Sequence, residues 1–289
     1  MLLYLRGMSA KTTNNAEEFI EAAGAHVRSD PVGNSILLTM MEGMRKSGGK
    51  GPTAYWTWAV DEAESGGGTA GGCVCVPPNL AILSGMEASA AAACAASLHE
   101  TGAPVAGVLG PTRAAEAFVE EWTRATGSTA VAGRTEHILR LDTALPSLPG
   151  QTPPGRARTA TEGELEPLTD FFLEAATGSG ISREEARRSA QRQIASGHLL
   201  VWDDGEVAAI VGRTPASDGV VRITPMHTVP ERRERGYARA LFAETLERGR
   251  AEGASTFVLF TEAENTAAQS LFRSFGFRNQ GTTVEYRFE

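Results

Sequence analysis

The chain has 289 residues, 42% of them hydrophobic and 21% charged, enough apolar material for one large or two ordinary globular domains and too much for disorder throughout. Its net charge of −8 is the wrong sign for a protein whose main partner is nucleic acid or an anionic membrane, both of which call for clustered cations. The longest apolar stretches fall well short of the ~20 residues that span a bilayer, and the opening Met-Leu-Leu-Tyr-Leu is too short for a signal-peptide core. A cytoplasmic protein without nucleic-acid or membrane partners is therefore expected. Three cysteines, Cys73, Cys75 and Cys94, are an odd number without a second pair to complete a zinc site, so neither a disulfide framework nor a structural metal is supported and buried or half-buried thiols are expected.

In chain order, apolar spacing predicts helices near 15–28 and 33–46, then strands near 54–61, 70–77 and 79–84. A helix over 86–100, a strand over 104–109, a helix over 111–126 and a strand over 129–141 follow. The stretch Pro146–Gly155, with four prolines and two glycines in ten residues, reads as a linker between domains 1–145 and 156–289.

Thr161-Glu-Gly-Glu164 and Ser182-Arg-Glu-Glu185 are capping boxes that start helices over 162–176 and 183–195. Asp203-Asp204-Gly205 turns a hairpin between strands 198–202 and 206–211, and a strand follows over 220–229. A helix from about 238 stops near Gly253, and Phe257–Phe260 is a short buried strand. Asn265 caps a helix carrying Leu271, Phe272 and Phe275, and Val284, Tyr286 and Phe288 alternate as the last strand. Both halves read ααβββαβαβ, a tandem duplication at a period near 145 residues.

The copies differ after their third strand. The first has Ser84-Gly-Met-Glu-Ala88, whereas the second has Val229-Pro-Glu-Arg-Arg-Glu-Arg-Gly-Tyr-Ala238 between a strand and a helix. Free amides and the positive end of a helix dipole point outward together at such a junction, and small residues at 236 and 238 let an anion reach the backbone. Arg233-x-x-Gly236-x-Ala238 matches neither the lysine-bearing P-loop nor the dinucleotide glycine pattern.

At these residues the sequence resembles the GNAT superfamily of N-acetyltransferases, whose Arg/Gln-x-x-Gly-x-Gly/Ala loop binds the pyrophosphate of coenzyme A. The likeness is strong over 156–289; over 1–145 it rests on element order and on Gly110–Phe118, as in tandem members with a degenerate first copy. The resemblance implies an α/β (α+β) fold of two tandem domains, each a mostly antiparallel mixed sheet flanked by helices. It implies acetyl-CoA as acyl donor, no metal, and direct transfer to the primary amine of a small molecule or peptide by a monomer or homodimer.

Carried over residue by residue, it places Met226, His227, Thr228 and Val229 along the pantetheine arm. Arg233, Glu234, Arg235, Gly236, Tyr237 and Ala238 fall around the pyrophosphate, and Asn265, Leu271 and Phe272 near the thiol end. Phe272 stands where many relatives have a tyrosine that protonates the leaving thiolate, and is expected to face the sulfur while Leu271 and Phe275 enter the core. His227, Glu174 and Glu262 are the candidate bases, each also readable as packing or a solvated carboxylate. A non-catalytic acyl-CoA sensor or assembly subunit is the alternative.

Overall fold

The computed structural model describes residues 7–46, 53–63, 67–142, 152–176 and 181–289. Residues 146–151 of the expected linker lie outside these. The first half contains β1 (Met8–Thr13), α1 (Ala16–Ser29), α2 (Ser35–Lys46), β2 (Tyr55–Asp61), β3 (Gly68–Cys75), β4 (Ala81–Leu83), α3 (Ala88–Glu100), β5 (Gly107–Pro111), α4 (Thr112–Thr126) and β6 (Ala130–Leu141). The second contains β7 (Arg156–Thr159), α5 (Leu165–Ala175), α6 (Arg183–Ala195), β8 (Leu199–Asp203), β9 (Val207–Arg213), β10 (Val220–Thr228), α7 (Tyr237–Ala251), β11 (Thr256–Glu262), α8 (Thr266–Ser274) and β12 (Arg278–Phe288). The order βααβββαβαβ thus occurs twice. It exceeds the sequence reading by one leading strand in each half, β1 and β7, which pair on one side only, with β2 and β8.

Two compact units form. The first holds the described residues up to Leu139 together with Phe260–Thr266 and Asn279–Glu289, and its strands run in the order β1-β2-β3-β4-β5-β12-β6. β12 pairs antiparallel with β5, Thr283–Arg287 against Gly107–Pro111. The final strand, which the sequence division gave to the second domain, therefore packs in the first unit. Val284, Tyr286 and Phe288 lie against a core made of Leu98, Val108, Phe118, Trp122 and small alanines of α3. The three thiols are buried there; burial pushes Cys75 up to about 11 and Cys94 up to about 12, so they stay protonated and inert at neutral pH.

The second unit, Arg140–Leu259 and Ala267–Arg278, has strand order β11-β10-β9-β8-β7. The β8–β9 hairpin turns at Asp204–Glu206, where Asp204 N–H donates to Glu206 O at 3.0 Å. α5 and α6 cover one face over Leu168, Phe172, Ala186, Ala190 and Ile210. α7 packs toward β8, β9 and β10, and Gly249 lets the Phe257 ring approach the helix backbone, since a Cβ there would come within 2.7 Å of it.

At the edge of this unit the Thr161 capping box joins an ion-pair network. Glu164 accepts from the Thr161 amide at 2.8 Å and from Arg158 at 2.6 and 2.9 Å, and Arg158 Nε reaches Asp203 at 2.7 Å. Chiefly the Arg158 hydrogen bonds hold the Glu164 carboxyl down at about 2, against 4.5 unperturbed. A depressed carboxylate contributes stability that is present above its unfolded value and lost as pH falls through the folded one. Glu164→Gln should cost ~1–2 kcal/mol near pH 7, after discounting for partial solvent screening, and almost nothing near pH 2. Urea unfolding at the two pH values checks this; an equal penalty at both would remove the network from the account.

Candidate functional site

The site begins where two parallel strands part. β10 pairs with β11 at Val220–Arg222 against Thr256–Val258 and then continues to Thr228. On its other side β10 stays with β9 as far as Thr228, through a register shift between Ile223 and Met226. Such a bulge bends the strand that carries it and disrupts the local ladder. The backbone of Met226, His227 and Thr228 lies beyond the last β10–β11 pair.

Beyond β10, Pro230–Arg232 makes one 3-10 turn, Glu234 takes φ +61° and Gly236 φ +84°, and α7 starts at Tyr237. The first helical bond runs from Ala240 N–H to Gly236 O at 3.0 Å, so the amides of Tyr237, Ala238 and Arg239 precede any i−4 partner. A Cβ on Gly236 would meet nothing within 4 Å, so the backbone lies bare to solvent. The loop offers donors and positive potential with room for an anion.

The arginines of this loop have separate tasks. Arg232 reaches Asp204 and Glu206 of the hairpin turn, each at 3.3 Å, and the buried Tyr237 hydroxyl donates to Asp204 at 2.5 Å. Arg233 Nε donates to Thr228 O at 3.2 Å, while Glu234 and Arg235 are exposed. Asp204 is a site-shaping residue that the sequence reading treated only as a turn; its signal was an acidic turn facing a basic loop in an otherwise hydrophobic pair of strands.

On the α5/α6 face, His227 Nε2 lies 2.8 Å from Glu174 Oε2 of α5. The histidine side chain is 8% exposed and the carboxylate 56%. Phe171, one turn before Glu174, meets the imidazole edge-on at 5.5 Å. Burial is the main influence on His227 and lowers its pKa from the ordinary value, with Arg233 adding to the shift and Glu174 opposing it. Two candidate bases read separately from the sequence therefore meet.

Other candidates are placed differently. Glu262 and Asn265 belong to the first unit, where Glu262 lies 3.8 Å from Arg134. Phe272 is 6% exposed and packs on Phe242 at 5.3 Å and Phe277 at 6.1 Å, whereas Leu271 is only half-buried. The expectation that Phe272 leaves the core while Leu271 enters it is corrected: positions 272 and 275 stand three apart, share a face and close together on Phe242.

With this geometry in view, comparison with known proteins is informative. The model of the acetyltransferase (GNAT) family matches residues 165–277, which include the parted strands, the loop and α7. The chain carries a GNAT domain. Members of that family are acyltransferases. No curated protein sequence matches the chain.

Among solved structures, a GNAT-family acetyltransferase from Colwellia psychrerythraea aligns with TM-score 0.58 and 15% identity over 97% of this chain and 100% of its own. A GCN5-related N-acetyltransferase from Sphaerobacter thermophilus aligns with TM-score 0.58 and 17% identity over 97% and 95%. A tandem GNAT protein from the clavulanic acid biosynthesis pathway aligns with TM-score 0.57 and 14% identity over 98% of each chain. At these identities the likeness is one of fold, and it extends over both halves of the chain. No helix among the described residues is long and apolar enough to cross a membrane.

The bond from Tyr237 to Asp204 ties the start of α7 to the hairpin. Tyr237→Phe should destabilise the protein by ~1.5–3 kcal/mol, the usual loss for a hydrogen bond to a charged group. Thermal unfolding measures it; an unchanged transition would mean that the loop is held by Arg232 alone.

Proposed function

We propose that the protein transfers an acetyl group from acetyl-CoA to the primary amine of a small molecule or peptide in the cytoplasm, as a monomer or homodimer. The observation that carries this reading is the parting of β10 from β11 directly before an open, positively charged helix start. A linear arm ending in phosphates fits that pairing of features. Free strand edges at Met226, His227 and Thr228, and Val229 beside them, suit the amides of a pantetheine arm; the loop from Arg233 to Ala238 suits a diphosphate.

When bound, acetyl-CoA supplies an activated acyl carbon, at which the amine nitrogen forms the amide bond as the C–S bond breaks and the electron pair leaves on sulfur. The chain has three tasks around that event. Unpaired β10 amides stabilise the negative charge developing on the carbonyl oxygen. The His227–Glu174 pair takes the proton that the amine must lose: His227 is kept neutral by burial, and Glu174 opens the path to solvent. The aromatic wall of Phe171 limits water on one side of the imidazole. No hydroxyl stands at position 272, so the thiolate is reprotonated by water or by the proton held on the pair.

Acetyl-CoA should bind at one site per chain. In the first unit the corresponding junction is closed by its own side chains: Asn34 Oδ1 accepts from the Gly85 amide at 2.9 Å, His26 Nε2 lies 2.9 Å from Gly85 O, and Glu87 places a carboxylate at the start of α3. There β4 keeps its pairing with β5 through Ile82 and Leu109, within one residue of its end. Titration calorimetry on the whole chain should give a stoichiometry of one, and a value of two would overturn the assignment. Gly236→Val, strained at φ +84° and bulky beside the loop amides, should weaken binding at least tenfold while the protein remains folded by circular dichroism.

His227→Gln should lower kcat/KM with an accepted amine by ~10²–10³ without changing acetyl-CoA affinity. Because the imidazole pKa lies below its ordinary value, the wild-type acid limb should fall below pH 6.5 and vanish in the variant. Retention of that limb in His227→Gln would assign the base elsewhere. If acetyl-CoA binds and a broad amine panel releases no coenzyme A, the alternative of a non-catalytic acyl-CoA sensor stands instead; Phe272, without a proton to give, is the residue that favours it.

A further inference from the structure

On the α5/α6 face of the second unit, the enclosed Arg222 Nη1 and Gln193 Oε1 have no hydrogen-bond partner among the described residues. Arg222 is the last β10 residue paired with β11, so it stands at the apex of the opening. Its face follows from the register. Ile223 pairs with Arg213, whose guanidinium meets Glu252 beyond α7, so Arg222 points the opposite way, toward the face where His227 meets Glu174.

Gln193, on α6, donates its amide to Thr224 O inside the bulge at 2.7 Å, leaving its oxygen unmatched. That oxygen lies where a side chain on Gly212 would be, 1.9 Å from a built Cβ, so glycine there is what lets the amide press against the sheet. Among the described residues no carboxylate bears on Arg222, and burial lowers its pKa to about 10. Arg222 as a whole is half-buried, but its enclosed Nη1 leaves part of a cation without water or a counter-ion, which is costly unless something supplies the missing charge.

We propose that Arg222 and Gln193 form the acceptor subsite, and that the acceptor is an amine that also carries a carboxylate, held by Arg222, with an N–H held by Gln193 Oε1. This rests on the acetyl-transfer reading and narrows it to amino-acid-like acceptors. The carboxylate completes the ion pair the fold leaves open, and the subsite lies on the side of β10 from which His227 takes the proton. Arg222 contacts the substrate but not the reacting atoms, so its contribution appears in KM.

The test uses the full chain with acetyl-CoA and primary amines in matched pairs, each amino acid against the amine lacking its carboxylate. Wild type should show a KM at least tenfold lower for the carboxylate member of an accepted pair. Arg222→Gln should erase that preference by raising KM for the acid member 10- to 100-fold, with kcat, the decarboxylated member and acetyl-CoA affinity little changed; Arg222→Lys should recover part of it. Equal KM values within pairs in wild type, or a loss in Arg222→Gln that strikes both members alike, would overturn the subsite while leaving acetyl transfer intact. Intact acetyl-CoA binding with no turnover of any pair would overturn both readings.

Discussion

A strand edge must find partners for its amides and carbonyls, and the second unit leaves the later half of β10 without a β11 partner. Three residue pairs hold β10 to β11, and then the strands separate. Backbone groups left without protein partners must be satisfied by solvent or by a ligand, and Thr224 is exposed and Pro225–Thr228 are half-buried. The rest of the unit keeps this opening from closing. β9 grips the far side of β10 as far as Thr228, across the bulge. α7 is pinned from above by Leu241, Phe242 and Leu246, and Phe242 gathers Phe272, Phe275 and Phe277 into one aromatic knot. Arg239 extends it, stacking over Phe275 and donating to Ser274.

Electrostatics in the loop after β10 divides between holding and offering. Arg232 is spent on Asp204 and Glu206, and Arg233 on a strand carbonyl, so the loop's shape exists before any ligand arrives. Only exposed charge and bare amides remain for an anion. Preorganisation of this kind lowers the entropy lost on binding, because the loop residues are already ordered. The matching junction in the first unit spends its donors differently, satisfying Gly85 with Asn34 and His26, and Gly110 lets Leu83 come so near that a Cβ would lie 2.8 Å from it. The same order of elements thus makes an open junction in one unit and a closed one in the other.

What the residues alone revealed follows the strength of local signals. Residues 225–238 read correctly as strand, loop and helix because glycine, proline and a following apolar period punctuate them within a few positions. The Asp-Asp-Gly hairpin was legible for the same reason. β1 and β7 escaped because Lys11, Arg156 and Arg158 sit in strands with only one neighbour, and a half-solvated edge need not alternate strongly. Where β12 packs was not legible at all: its alternation of Val284, Tyr286 and Phe288 specifies a strand with an apolar face, but no local pattern says which apolar surface it joins. Phe272 was misplaced because a helix of nine residues between two sharp turns has too little length for periodicity to fix its inward face.

The meeting of His227 and Glu174 belongs to a different class of information. Fifty-three positions separate them, and neither is unusual for its own element; only the packing of α5 on β10 makes them neighbours. The same holds for the two arginines on opposite faces of adjoining strands. Arg213, at 3% exposure, has Glu252 and so a reason to be charged inside the protein. Arg222, one register position and one sheet face away, has an enclosed nitrogen and no carboxylate. An apolar side chain at 222, beside the fully buried Val258, would avoid the cost that this unpaired charge carries.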